Sequence, residues 1–294
     1  MNASTYQFKV GDFDCAAISD GTFTYAPPLF PPPADFLFAN APRERLAQAL
    51  AEHGLELEQW EAWPSPYSCL LVNTGSSRLL IDTGADGLGP NTGSLFRSLE
   101  SVGVNPEQID LVILTHGHPD HLGGNTDDKG NLLFPKARWL MSTTEWDFWM
   151  KGQAEQILPE HSRVILLGFT HRNLSAIEER ISLVPGEKEI QPGIRILPAP
   201  GHTPGHIVVA ISSSREELLC VSDLVLHPIH LEEPGWFAAV DMLPDQLVAA
   251  RRMLLAKAAA EKSLVMAFHF PFPGLGHVLP KGAGWQWQPH ESLP

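Results

Sequence analysis

An α/β fold, β-sheet covered by helices, is what this sequence predicts, and three observations carry the prediction. From about Tyr67 onward, apolar runs of strand length alternate with stretches of helical periodicity. The 294 residues are 44% hydrophobic and 18% charged, a globular balance that can bury a sizeable core. Regularly spaced strand signals, with no linker-like or repeated tract, favour one domain over the whole of 1–294.

The elements follow in chain order. The opening MNASTYQFKVGDFDC has neither a basic segment followed by an apolar stretch nor a cleavage-like site, and no run of about 18 apolar residues comes later. The chain is therefore expected in the cytoplasm and off the membrane. Residues 25–40, YAPPLFPPPADFLFAN, are too dense in proline and phenylalanine for a helix interior or a central strand. They are expected to form an ordered N-terminal loop, an arm laid across the body. Residues 42–54 carry a helical pattern with Leu46 and Leu50 on one side. Next come the strand-like SCLLVNTG and SRLLIDTG, a helix through 94–102, LVILTH, ARWLMS and a helix around 145–150. IRILPAPGH, HIVVAIS, LLCVSD, a helix over about 245–260 and SLVMAFH complete the series.

Charge and cysteine usage narrow the function. Lys and Arg total 20 against 34 Asp and Glu, a net charge of −14, and no basic run is interleaved with aromatics. Nucleic acid and anionic membrane are thereby poor partners. Cys15, Cys69 and Cys220 are far apart, odd in number and set in apolar strand-like contexts, so they read as buried thiols rather than a disulfide framework or thiolate metal site.

The chemistry concentrates in ILTHGHPDHLGG. His116 and His118 are separated by one small residue, so both rings can reach a common ion from an extended loop. Asp120 and His121 follow Pro119, which suits the first turn of a helix, and they point elsewhere, toward a second ion. Further candidates stand where other strands end: His202, Asp223 and His269. Together these are five histidines and two aspartates, enough for two ions if one carboxylate bridges. Imidazole and carboxylate suit zinc, manganese, iron and cobalt at a site that stays open to substrate. Each of the later residues also has a bland reading, as a loop histidine or a turn aspartate. For HGHPDH that reading is weak, because several desolvated histidines without a metal repel one another on protonation.

THGHPDHLGG, followed by PGHTPGH, VSD and FH at increasing distance, resembles the metallo-β-lactamase superfamily over most of the chain, from Asp82 to about His277. The resemblance implies a four-layer αββα sandwich with metals between loops at one edge of the two sheets. It implies His116, His118 and His202 on one metal, Asp120, His121 and His269 on the other, and Asp223 as the bridge. Asp82 in LLIDTG matches the aspartate beside the site, where a carboxylate can orient a ligand imidazole. The C-terminal part, through FHFPFPGLGHV, resembles the branch of N-acyl-homoserine lactonases and methyl-parathion-type organophosphate hydrolases. Leu226 departs from it, standing where some lactonases place a tyrosine. Secreted β-lactamases usually carry a signal peptide, and glyoxalase-type thioesterases add a helical C-terminal region, whereas 25 residues follow His269 here.

The expectation is a dinuclear metal-dependent hydrolase, two zinc ions first among the metals, using a metal-bridging hydroxide on a small ester-like substrate with lactone the leading class. Asp120 is the candidate catalytic proton shuttle. Organophosphate triester or aryl ester hydrolysis is the alternative, and a mononuclear iron oxygenase resembling persulfide dioxygenases is the alternative of another class. Phe30, Phe36, Phe38, Trp236 and Phe237 either wall an apolar substrate pocket or pack a core or homodimer interface. His227, His230 and His277 are candidates to hydrogen-bond substrate or to serve as loop histidines.

Overall fold

The computed structural model describes residues 4–158 and 160–290. Two seven-stranded sheets face each other. The first runs β1 (Thr5–Val10), β2 (Phe13–Tyr25), β3 (Trp63–Asn73), β4 (Arg78–Ile81), β5 (Leu111–Ile113), β6 (Arg138–Ser142) and β7 (Ile181–Val184). The second holds β8 (Lys188–Gln191), β9 (Ile194–Pro198), β10 (Ile207–Ser213), β11 (Glu216–Cys220), β12 (Leu264–Met266), β13 (Leu275–Lys281) and β14 (Gly284–Pro289), each beside the next.

The central strands are apolar on both faces because both faces are covered. In β3, Leu70 and Val72 enter the core between the sheets, while Cys69 and Leu71 enter the core on the outer face. In β10, Ile207, Val209 and Ile211 point inward while Val208 and Ala210 point outward. Alternation of period two in a wholly apolar run is what a strand sandwiched between layers requires.

The helices are α1 (Pro33–Leu37), α2 (Arg43–Glu52), α3 (Leu95–Ser101), α4 (Pro119–Leu122), α5 (Thr143–Met150), α6 (Ala154–Ile157), α7 (Glu160–Ile177), α8 (Ile229–Glu232) and α9 (Pro244–Glu261). Leu95 and Leu99 of α3, Trp146, Phe148 and Trp149 of α5, and Leu174 and Ile177 of α7 cover the first sheet. Helix α9 covers the second. It buries Leu247, Ala250, Arg251, Leu254, Leu255 and Ala258, a single stripe at i, i+3, i+4, i+7, i+8 and i+11. The layers are helix, sheet, sheet, helix, as the resemblance implies. Among the described residues no helix is long and apolar enough to cross a membrane.

Several elements differ from the sequence reading. The arm contains a helix: Pro33 occupies the first turn of α1, where proline's missing N–H costs nothing. Strand β3 begins at Trp63, ahead of Pro64 and Pro66. These prolines lie where β3 pairs with β2 but not yet with β4, whose pairing starts at Leu70, so no ladder bond is lost on the open side. Hairpins β1–β2 and β13–β14 and the long α7 were not anticipated. The first hairpin turns at Gly11, whose φ of +55° suits a two-residue turn.

The three cysteines are free and buried, as expected. Strands β4 to β7 run parallel, as do β11 and β12, which brings the C-terminal ends of β4, β5, β11 and β12 to one edge of the sandwich. Asp82, His116, Asp223 and His269 follow those ends.

Candidate metal centre

Asp82 immediately follows β4 with a φ of +61°, a strained backbone for a residue with a side chain. That conformation places one carboxylate on three donors: the Thr115 N–H and hydroxyl, each at 2.8 Å, and His121 Nδ1, also at 2.8 Å. The His121 Nδ1–H donates to Asp82, so its Nε2 carries the lone pair that faces the centre. Similar anchors fix two other rings. His202 Nδ1 lies 2.7 Å from Asp241 Oδ1, and His269 Nδ1 lies 2.8 Å from Ser65 Oγ. A partner on one nitrogen of each ring fixes its tautomer and aim, the arrangement found around metal-binding histidines.

The freed nitrogens converge. His116 Nε2 lies 3.0 Å from His118 Nδ1, which lies 2.9 Å from His202 Nε2. The ligand atoms of His116, His118, His202 and Asp223 all lie within 4.8 Å of one another, and so do those of Asp120, His121 and His269. Asp223 stands between the groups. Its Oδ2 is 3.1 Å from His202 Nε2 and 3.2 Å from His269 Nε2, and its Oδ1 is 3.2 Å from His121 Nε2. Asp120 Oδ2 is 3.6 Å from His269 Nε2 and 3.8 Å from His121 Nε2.

Electrostatics separate the rings. Burial, then the neighbouring imidazoles, hold His116 and His118 well below the usual histidine range, so both stay neutral and able to donate a lone pair. Burial also opposes a charge on His202, but Asp223 and Asp241 outweigh it and push that ring up to about 10. His121 is likewise raised, by Asp223, Asp120 and Asp82 against burial. The carboxylates draw positive charge to this spot, and a divalent cation would take the protons' place there. Among the described residues His121 Nε2 is buried with no well-aligned hydrogen-bond partner, only the Asp223 carboxylate at 3.2 Å, a gap that a metal ion would fill. Imidazole and carboxylate donors without thiolate fit zinc and the other first-row divalent ions in both groups.

A profile of the Metallo-beta-lactamase superfamily matches residues 62–269, which hold every one of these ligands. The chain belongs to the metallo-β-lactamase superfamily. The N-acyl homoserine lactonase AiiA of Bacillus thuringiensis subsp. kurstaki is 25% identical over 228 residues, 69% of this chain and 81% of the relative. Among solved structures, AidC, a dizinc quorum-quenching lactonase in complex with a product, N-hexnoyl-L-homoserine, superposes with a TM-score of 0.88 at 27% identity, covering 99% of both chains. AbOPH, a hydrolase in the β-lactamase superfamily, gives 0.87 at 29% identity over 100% of both.

Within this superfamily fold, the pocket residues suggested by sequence fall in different places. Phe36, Phe38 and Trp236 are buried in one apolar cluster with Leu226, Trp63 and α2, and Phe30 packs against its edge. Phe237 is half-buried beside the α9 core. His230 has both nitrogens engaged: Nε2 donates to the Leu37 carbonyl at 2.9 Å and Nδ1 accepts the Leu226 N–H at 3.3 Å, leaving nothing for substrate. His227 lies against Phe38 and Trp60, and burial lowers it to about 3. His277 faces the Ser263 carbonyl and His290 and is not brought to the histidine cluster. The sequence had placed these three near the ligands only by proximity along the chain.

Burial favours the packing reading for Phe38, which is 2% exposed and contacts the rings of His227, His230 and Trp236. Phe38→Ala is therefore expected to cost about 3–5 kcal/mol of stability. Denaturant unfolding measures this, with metal content unchanged; a raised KM at unchanged stability would instead put the ring in a pocket wall.

Several residues that the sequence reading missed hold the centre together. Asp241 and Ser65 anchor ligand rings. His206, buried and held near 3 by burial and by His202, accepts the Asp223 N–H at 3.3 Å while its Nδ1 donates to the Ala199 carbonyl. Thr115 joins Asp82 to Ser222. A phenol pair, Tyr25 and Tyr67 with oxygens 2.8 Å apart, stands on the His269 side, the Tyr67 ring 5.5 Å from that imidazole.

Proposed function

We propose that this protein opens the ester bond of acyl lactones, using two divalent ions, zinc first among them, held by His116, His118 and His202 on one side, Asp120, His121 and His269 on the other, and Asp223 between. The observation that carries the reading is Asp223: one carboxylate whose oxygens approach imidazoles of both groups within 3.2 Å. Membership of the superfamily and kinship with lactonases support metal-dependent hydrolysis of an ester bond in a small molecule. Lactone as the substrate is supported by relatives at 25–27% identity. The convergence of His121 and His269 with Asp120 favours a dinuclear centre over a mononuclear iron oxygenase, which needs no second set of ligands.

Two divalent ions at such a centre supply a water acidic enough to attack near neutral pH and a positive field for the carbonyl oxygen. The chain's own residues do the rest. Asp82, Asp241 and Ser65 keep the ring tautomers that aim lone pairs inward. Asp120, 8% exposed, and the half-buried His118 are the most accessible of the seven ligands. The Asp120 carboxylate can take the proton of the attacking water and return it to the leaving alkoxide.

The test compares kcat/KM of the purified protein on acyl lactones, aryl esters, phosphotriesters, thioesters and β-lactams. Lactones are expected to lead, with all activity removed by a chelator and restored by added zinc, manganese or cobalt. Robust thioester or β-lactam cleavage without lactone opening would overturn the lactone assignment.

A further inference from the structure

The two ligand loops, HGHPDH and HTPGH, are far apart in sequence yet meet on one buried carboxylate that belongs to neither. Glu145 stands in the first turn of α5 and is fully buried. Its Oε1 accepts the Gly117 N–H at 2.9 Å, from the residue between His116 and His118. Its Oε2 accepts the Thr203 hydroxyl at 2.7 Å and the Gly205 N–H at 2.9 Å, from the loop that carries His202 and His206. The Trp149 indole N–H, one helical turn on, closes the set at 2.7 Å to Oε1. Each carboxylate oxygen thus serves one ligand loop, and among the described residues no cation pairs with the side chain.

The glycines in those loops are explained by the same contact. A Cβ on Gly117 would sit 2.3 Å from Trp149 Nε1, and one on Gly205 would sit 2.1 Å from the Glu145 backbone nitrogen. Only residues without side chains let both loops close onto α5. On the far side, the Thr170 hydroxyl of α7 donates to the Gly117 carbonyl at 2.9 Å, so both polar groups of that glycine are fixed. Asp82, by comparison, anchors His121 and the Thr115 backbone, and Ser65 anchors His269.

We infer that Glu145 is a positioning residue that sets the spacing of His116, His118 and His202, and so selectively tunes the metal affinity of that three-histidine group, leaving the Asp120, His121 and His269 group to its own anchors. The inference rests on the two-ion reading given above. A carboxylate that spans two loops fixes the separation of their imidazoles, and loss of a group that orients ligands in this way costs about 10–100-fold in metal affinity. Glu145→Gln keeps the size and one acceptor oxygen but turns an NH2 group onto donors of one of the two loops, leaving them without an acceptor.

The test titrates metal-stripped protein with Co2+, followed by its visible absorption, in two backgrounds. His269→Ala keeps the three-histidine group, and His118→Ala keeps the other. Glu145→Gln is expected to weaken Co2+ binding about 10–100-fold in the first background and to shift its ligand-field band, while changing affinity less than about threefold in the second. Equal weakening in both backgrounds, or none in the first, overturns the inference. Should Glu145→Gln fail to fold, as judged by thermal unfolding of the stripped protein, Thr203→Val removes one donor at constant shape, and the same selective weakening by several-fold is required. Wild-type protein that takes up only one Co2+ would overturn the two-ion reading itself, a result distinct from two ions bound without any Glu145 effect.

Discussion

Asp223→Ala is expected to lower lactone hydrolysis by about three orders of magnitude or more and to leave fewer than two ions per chain. The size of the effect follows from the position of the residue. Its two oxygens approach His202, His269 and His121 at 3.1–3.2 Å, so a single truncation removes the one carboxylate common to both groups. Asp120 would be the one carboxylate left among the ligands, and it stands with the second group. The imidazoles would also lose the negative neighbour that draws positive charge toward them. Cys220→Ala is the control: three residues earlier, its side chain belongs to the core between the sheets, and its loss should reduce stability modestly while leaving metal content intact. Elemental analysis and kcat on the two variants and the wild type, which should hold two ions, make the comparison. Asp223→Ala with a full complement of metal and undiminished turnover would eliminate the bridging role.

What could be read from the sequence was whatever depends on local chemistry. HGHPDH is legible because so many imidazoles and a carboxylate in one short loop have few structural uses, and strands such as LVIL and LLCV are legible because apolar runs of that length need cover on both faces. The residues that hold the ligands in place are another matter. Glu145 in STTEWDF looks like any acid in the first turn of a helix, yet its partners are Gly117 and Gly205. Asp241 in AVDMLPD looks like a turn former, yet it bonds the ring of His202. Those partners lie 28, 60 and 39 residues away along the chain, beyond the reach of any local pattern.

The aromatic arm stayed open for a different reason: composition says that Phe36 and Phe38 avoid water, but not whether a core or a cavity receives them. Prolines hid the start of β3, because the rule against proline in strands applies where both edges are paired, and here one edge is open. The turn at Gly11 was within reach, since VGDF between two alternating runs is a hairpin signal.

Asp120→Asn separates the role of this side chain as a metal ligand from its role with protons. The amide keeps an oxygen that can face an ion, so metal content should hold near the wild-type value. What it loses is the capacity to accept a proton from the attacking water and hand it to the leaving group, a contribution of about 10²–10⁴ in rate. Asp120 is placed for that transfer: its Oδ2 stands 3.6–3.8 Å from the facing nitrogens of His269 and His121, and at 8% exposure the residue is more accessible than His116, His121, His202, Asp223 and His269. The loss should fall on kcat, with KM little changed, because an interaction used only in the transition state does not strengthen substrate binding. It should also depend on the leaving group. A lactone expels an alkoxide that needs a proton, so its turnover should fall by the full amount. An aryl ester with an acidic phenol leaves without one, so its turnover should fall far less. If both substrates slow equally while metal content is intact, Asp120 acts on the attacking water and not on the leaving oxygen, and if neither slows, the proton is carried by another group.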